Sequence, residues 1–156
     1  MKIFLVILSF FTLSNGSNEI QSDYKLDDSE LIFIRENYDW NKSDLIIINF
    51  REPRDNFWYD SYKNLENSNN WWNKFYSHID LVNTRNIFIY SDSKIMKSVI
   101  DFEKHYPDDS KFFLNKFFNK NNTCFGLLVI NKNGNYLVKN GEYTKTDILT
   151  MINRLQ

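Results

Sequence analysis

The sequence predicts an α/β protein built on one mixed sheet of four strands. Three observations carry that reading: two β-branched runs separated by a helical stripe, an Asn-Gly turn between two later apolar runs, and a capped amphipathic segment at the end. A strand-helix-strand order needs a parallel pair joined by a crossover, whereas a tight turn needs an antiparallel pair.

The first core strand is Leu45-Ile46-Ile47-Ile48-Asn49-Phe50, apolar on both faces as in a central strand covered on both sides. It stops at Arg51-Glu52-Pro53-Arg54-Asp55, a charged turn in which Asp55 can cap a helix start. Trp58, Tyr62, Leu65, Trp72, Tyr76 and Ile79 then keep one stripe on a 3.6-residue period. Asn67-Ser68-Asn69-Asn70 interrupts it, so one long helix and two shorter ones fit equally. Asn86-Ile87-Phe88-Ile89-Tyr90 is a second buried-type strand. Ile95, Val99, Phe102 and Tyr106 repeat the helical step up to Pro107, and Phe113 and Phe117 mark another short helix. Phe125 to Ile130 and Tyr136 to Val138 are the third and fourth strands, turned through Asn131-Lys132-Asn133-Gly134-Asn135. Thr144 with Asp147 makes a capping-box-like start, and Ile148, Ile152 and Leu155 form the closing stripe. The order gives a thioredoxin-like arrangement, a four-stranded mixed sheet with helices on both faces. Strand order is not visible in one sequence, so other four-stranded α/β sandwiches fit the same pattern.

Ahead of this domain, residues 1–16 read as a signal peptide. Lys2 precedes an apolar stretch from Ile3 to Leu13 and a small-residue exit at Ser14-Asn15-Gly16. A bilayer span needs about twenty apolar residues, so cleavage is expected rather than a retained anchor. Residues 17–30 form a flexible acidic lead-in with Asp23, Asp27, Asp28 and Glu30, and residues 31–156 the domain. Leu31-Ile32-Phe33-Ile34 opens it, too short a run to show a period. Export makes the expected location secreted or periplasmic. A formal net charge of −1 lacks the clustered positive field of a nucleic-acid binder, and no membrane partner is expected after cleavage. Asn41-Lys42-Ser43 and Asn121-Asn122-Thr123 fit the glycan-acceptor pattern, so Asn41 and Asn121 would be acceptors in a eukaryotic host and accidents in a bacterium.

Cys124 is the one cysteine. It excludes an intrachain disulfide, a Cys-x-x-Cys pair and a cysteine zinc site. Lying before an apolar run, it reads as a buried thiol. His78 and His105 fall on separate predicted helices without a third ligand, so no metal is expected. Nucleophile elbow, phosphate loop and calcium loop are all missing, and no cofactor is expected. Trp71-Trp72 and Phe112-Phe113 sit on helical patterns and read as core.

The segment Phe125-Gly126-Leu127-Leu128-Val129-Ile130 with its Lys132-Asn133-Gly134 turn is similar to the closing hairpin of thioredoxin-like proteins. Trp40 shortly before Leu45 and the charged loop around Pro53 extend the likeness to one branch. From about Asp27 to Gln156 the chain resembles domain-of-unknown-function family 4174, found in exported bacterial proteins and in sushi-repeat-containing and Equarin-type extracellular proteins of animals. The resemblance implies a thioredoxin-like fold stripped of its dithiol. Where redox-active members carry cysteines at a helix start, this chain has Arg51, Glu52, Arg54 and Asp55; where they carry a cis-proline, it has Thr123-Cys124-Phe125. It implies no established reaction.

Two functions remain. The first is an exported non-redox module that binds a protein or small ligand through Arg51, Glu52, Arg54 and Asp55, whose arginines could hold an anion. A solvated turn with internal ion pairs is the plain alternative for those four residues. The second is a single-cysteine, peroxidase-like enzyme, which needs Cys124 exposed and acidic. The first fits the lack of a recognisable catalytic constellation.

Overall fold

A computed structural model describes residues 21–52, 64–94, 96–119 and 123–156. The expected signal peptide, Pro53 to Asp55, Trp58, Tyr62, Ile95 and Asn121 lie outside the described residues.

The central strand is β2 (Leu45–Arg51), buried at all seven positions. It runs parallel to β3 (Thr84–Tyr90) and antiparallel to β5 (Phe125–Asn131). Hairpin partner β6 (Asn135–Asn140) lies beyond β5. Gly134 turns the hairpin at φ 83°, a conformation that favours glycine, while Asn131 Oδ1 accepts the N–H groups of Asn133 and Asn135 at 3.0 Å. The parallel β2–β3 pair and the β5–β6 hairpin are the pairings expected from the apolar runs and the Asn-Gly turn.

The sheet is nevertheless not the four-stranded thioredoxin-like one. It has six strands in the order β1-β6-β5-β2-β3-β4, and each edge carries a strand the pattern does not reveal. β1 (Gln21–Lys25) pairs with β6 and comes from the expected flexible lead-in. Its polar composition is what an edge strand tolerates and is indistinguishable from loop. β4 (His105–Pro107) pairs with β3 and occupies the end of the expected helix from Ile95 to Tyr106. There Asp101 Oδ1 accepts the N–H groups of Glu103, Lys104 and His105 at 2.8–2.9 Å. A side chain that captures those donors replaces the helix ladder with a turn.

Helical elements cover both faces. α1 (Asp28–Asn37) carries a capping box between Asp27 and Glu30, so the run Leu31 to Ile34 is helical. With a π-helical turn at Leu114–Phe118 it covers Ile46, Ile48, Phe50, Ile87, Ile89, Leu128 and Ile130. α2 (Leu65–Ser77) continues through Asn67 to Asn70 without a break. It and the capped α3 (Lys145–Leu155) cover Leu45, Ile47, Phe88, Leu127 and Val129. Strand alternation sorts each apolar run into two cores.

Candidate functional site

Arg51 ends β2, and its period-2 partner Asn49 points to the same face, under α2 and α3. Arg51 is 1% exposed as a residue. Its guanidinium lies 4.1 Å from the centre of the Trp72 ring, 5.0 Å from Phe125, 5.4 Å from Tyr143 and 5.7 Å from Phe88. Aromatic faces attract a cation most where water is excluded. Arg51 Nη2 donates to Tyr143 Oη at 2.7 Å, and Nη1 to the Phe50 carbonyl at 3.1 Å. The Tyr143 and Tyr76 hydroxyls both donate to Asn49 Oδ1 at 2.5 Å. Asn49 Nδ2 donates in turn to Asn86 Oδ1 at 2.7 Å and to the Ile87 carbonyl at 2.8 Å. Burial pushes the Tyr76 phenol far above its ordinary value, so it stays a neutral donor. This network ties α2 and the approach to α3 to the sheet. Among the described residues it holds two phenols, two amides and a guanidinium, and no nucleophile or base.

Arg51 is therefore not the exposed anion hook of a loop, as its charged neighbours suggest. It belongs to the core. Glu52 is half-buried and its N–H donates to the Cys124 carbonyl at 2.9 Å. The structure thus brings Cys124 to the same end of the sheet as Arg51 and Glu52; Arg54 and Asp55 lie outside the described residues. The Cys124 residue is 1% exposed. Asn41 is exposed, at the far end of the sheet.

At that far end, two open clefts of about 370 and 280 Å³ flank the ion pair of Lys132 Nζ with Asp44 Oδ1, 3.1 Å long. The larger is lined by Asp44, Val82, Asn83, Asn131 and Leu155 among others, and the smaller by Arg35, Trp40 and Asn41. Reading the sequence misses this place because its polar residues look like ordinary turn residues. Their only signal is that two turns, 41–44 and 131–135, close on the ends of adjacent strands.

No family model, curated protein or solved structure matches the chain. Among the described residues no group of His, Cys, Asp and Glu could hold a metal ion. Nor is any helix among them long and apolar enough to cross a membrane. His78 is exposed, whereas His105 is buried on β4.

Proposed function

We propose that this chain is an exported, non-redox binding module that takes a protein or a small polar ligand. One observation carries the reading: the one thiol of the sequence is buried at 1% exposure. A single thiol cannot cycle as a dithiol, and a thiol shielded from solvent is a poor nucleophile. The paired clefts beside Asp44 and Lys132 offer volumes near the lower bound of small-ligand sites, about 300 Å³. At the other end the Arg51 guanidinium is already enclosed by rings.

Amide chemical shifts of the labelled protein, recorded against a library of small polar fragments and peptides, test the assignment. Shifts confined to Asn83, Asn131 and Lys132 are expected. Shifts confined to Glu52 and Cys124 would move the site to the other end. Peroxidase or disulfide-reductase turnover that vanishes in Cys124→Ser would replace the binding reading with the single-cysteine enzyme.

A further inference from the structure

β3 meets β4 through three residue pairs, Phe88 with His105, Ile89 with Tyr106 and Tyr90 with Pro107. The outer side of β4 is closed by the turn before it. His105 donates its N–H to Asp101 Oδ1, and its carbonyl accepts the N–H groups of Asp101 at 3.2 Å and Phe102 at 3.1 Å. Pro107 has no N–H to offer. Phe102 adopts φ 57° to make its bond, a conformation an aromatic residue rarely takes. Behind this turn the His105 ring, 4% exposed as a residue, stacks on Phe88 at 5.1 Å and 10° and on Tyr90 at 5.9 Å and 16°. Its Nδ1 lies 3.0 Å from Tyr90 Oη.

We propose that β4 and the turn 101–104 form an acid-released cover on the edge of β3, with His105 as the trigger. Three-residue strands open locally more easily than a core unfolds. A proton on His105 must enter a space walled by two rings. The charged and titratable groups around it are Tyr90 on β3, Arg51 on β2 and Tyr76 on α2 across Phe88, and Asp101 and Lys104 on its own turn. Lys94 and Lys97 of the preceding segment are exposed. Burial lowers the His105 pKa most, Asp101 draws it back up and Lys104 lowers it further, leaving it below the usual histidine value. The released turn therefore binds the proton better than the closed one. Closure is complete above the usual histidine value and weakens as pH falls below it. Burial pushes the Asp101 carboxyl up, but its three backbone N–H bonds outweigh that and hold it low, so its loss belongs to stronger acid. Asp108, at the other end of β4, is raised by burial and works in the opposite direction.

Histidine ring shifts and amide exchange, followed by NMR from about pH 7.5 to about pH 4.5, bracket the usual histidine pKa of ~6.5. The Phe88 and Asp108 amides bond the Lys104 and Tyr90 carbonyls across this edge. Below the usual histidine value, where each opening takes up one proton at His105, their protection, corrected for intrinsic exchange, is expected to fall about tenfold per pH unit. Amides between β2 and β5 should keep theirs. His105→Phe retains the ring without the proton and should flatten the response. Protection that persists through the His105 titration overturns the proposal, as does equal loss across β2 and β5 or the same loss in His105→Phe. Should that variant not fold, the wild-type comparison of edge and central amides decides.

Discussion

Gly126 is required by a ring on another element. Phe118 stacks on Phe50 at 4.5 Å and 14°, and a Cβ at residue 126 would stand 2.2 Å from Phe118 Cε1. Gly126→Ala must displace that ring, and overpacking of this kind costs about 1–3 kcal/mol. A lower urea midpoint at unchanged slope is the expected readout; an unchanged midpoint would mean that Phe118 has another place to go. Asn49→Leu keeps the approximate size but removes the acceptor on which the Tyr76 and Tyr143 hydroxyls converge and the donor to Asn86 Oδ1. Leaving a buried polar group without its partner costs about 1–3 kcal/mol, whereas Tyr76→Phe removes one bond of about 1 kcal/mol. Denaturation of the two variants should rank Asn49→Leu as clearly the less stable. Neither role is legible in the sequence. Asn49 reads as a lone polar residue in an apolar strand, and Arg51 as a loop charge beside Glu52. Burial of Arg51 depends on Trp72, Phe88, Phe125 and Tyr143, which come from α2, β3, β5 and the loop between β6 and α3.

At the scale of elements, local chemistry was readable where it acts within a few residues. The Thr144–Asp147 box is visible as spacing and exists as geometry: Asp147 Oδ2 accepts the Thr144 N–H at 2.7 Å. Thr144→Ala is expected to cost about 1 kcal/mol, measured as a shift of the thermal midpoint. Burial raises the Asp147 carboxyl, but the Thr144 N–H, the Thr144 hydroxyl and Lys139 outweigh it and leave the pKa lowered. A lowered carboxylate stabilises the fold above its unfolded value of about 3.9, and that contribution is lost as pH falls through the lower folded value. Helicity of α3 should therefore weaken below about pH 4 in the wild type, and Asp147→Asn should lack that transition. Asp27 and Glu30 have the same box spacing, but the four apolar residues behind it are too few to show a helical period. The run from Ile95 to Tyr106 misleads for the opposite reason. Its apolar period is helical, but Asp101 offers the backbone a closer acceptor, and a stripe records burial without recording which ladder the backbone joins.

For the molecule as a whole, the parallel pair and the hairpin were legible because their strands are apolar on both faces, and the edges were not. An edge strand needs polar residues on its open side, so its composition approaches that of a loop. The buried Cys124 turns this architecture into a measurement. Labelling of the native protein by a thiol reagent should proceed no faster than the opening that exposes β5, and should accelerate with urea along the unfolding curve. Fast labelling in the absence of denaturant would contradict its burial. Cys124→Ser is expected to fold but to cost about 1–3 kcal/mol, since it buries a hydroxyl in place of a thiol that acts mainly as a small hydrophobe. Insulin reduction should be absent in both proteins.

The pairing of β1 with β6 places Gln21 opposite Val138. Nearly the whole described chain lies between those two residues, and so does every other strand of the sheet. During synthesis β1 emerges before its partner β6, and it must wait until the four strands between them have been made. Among the strands of this sheet, the earliest made is thus among the last to be seated. Until β1 is seated, the outward side of β6 is the sheet's open margin.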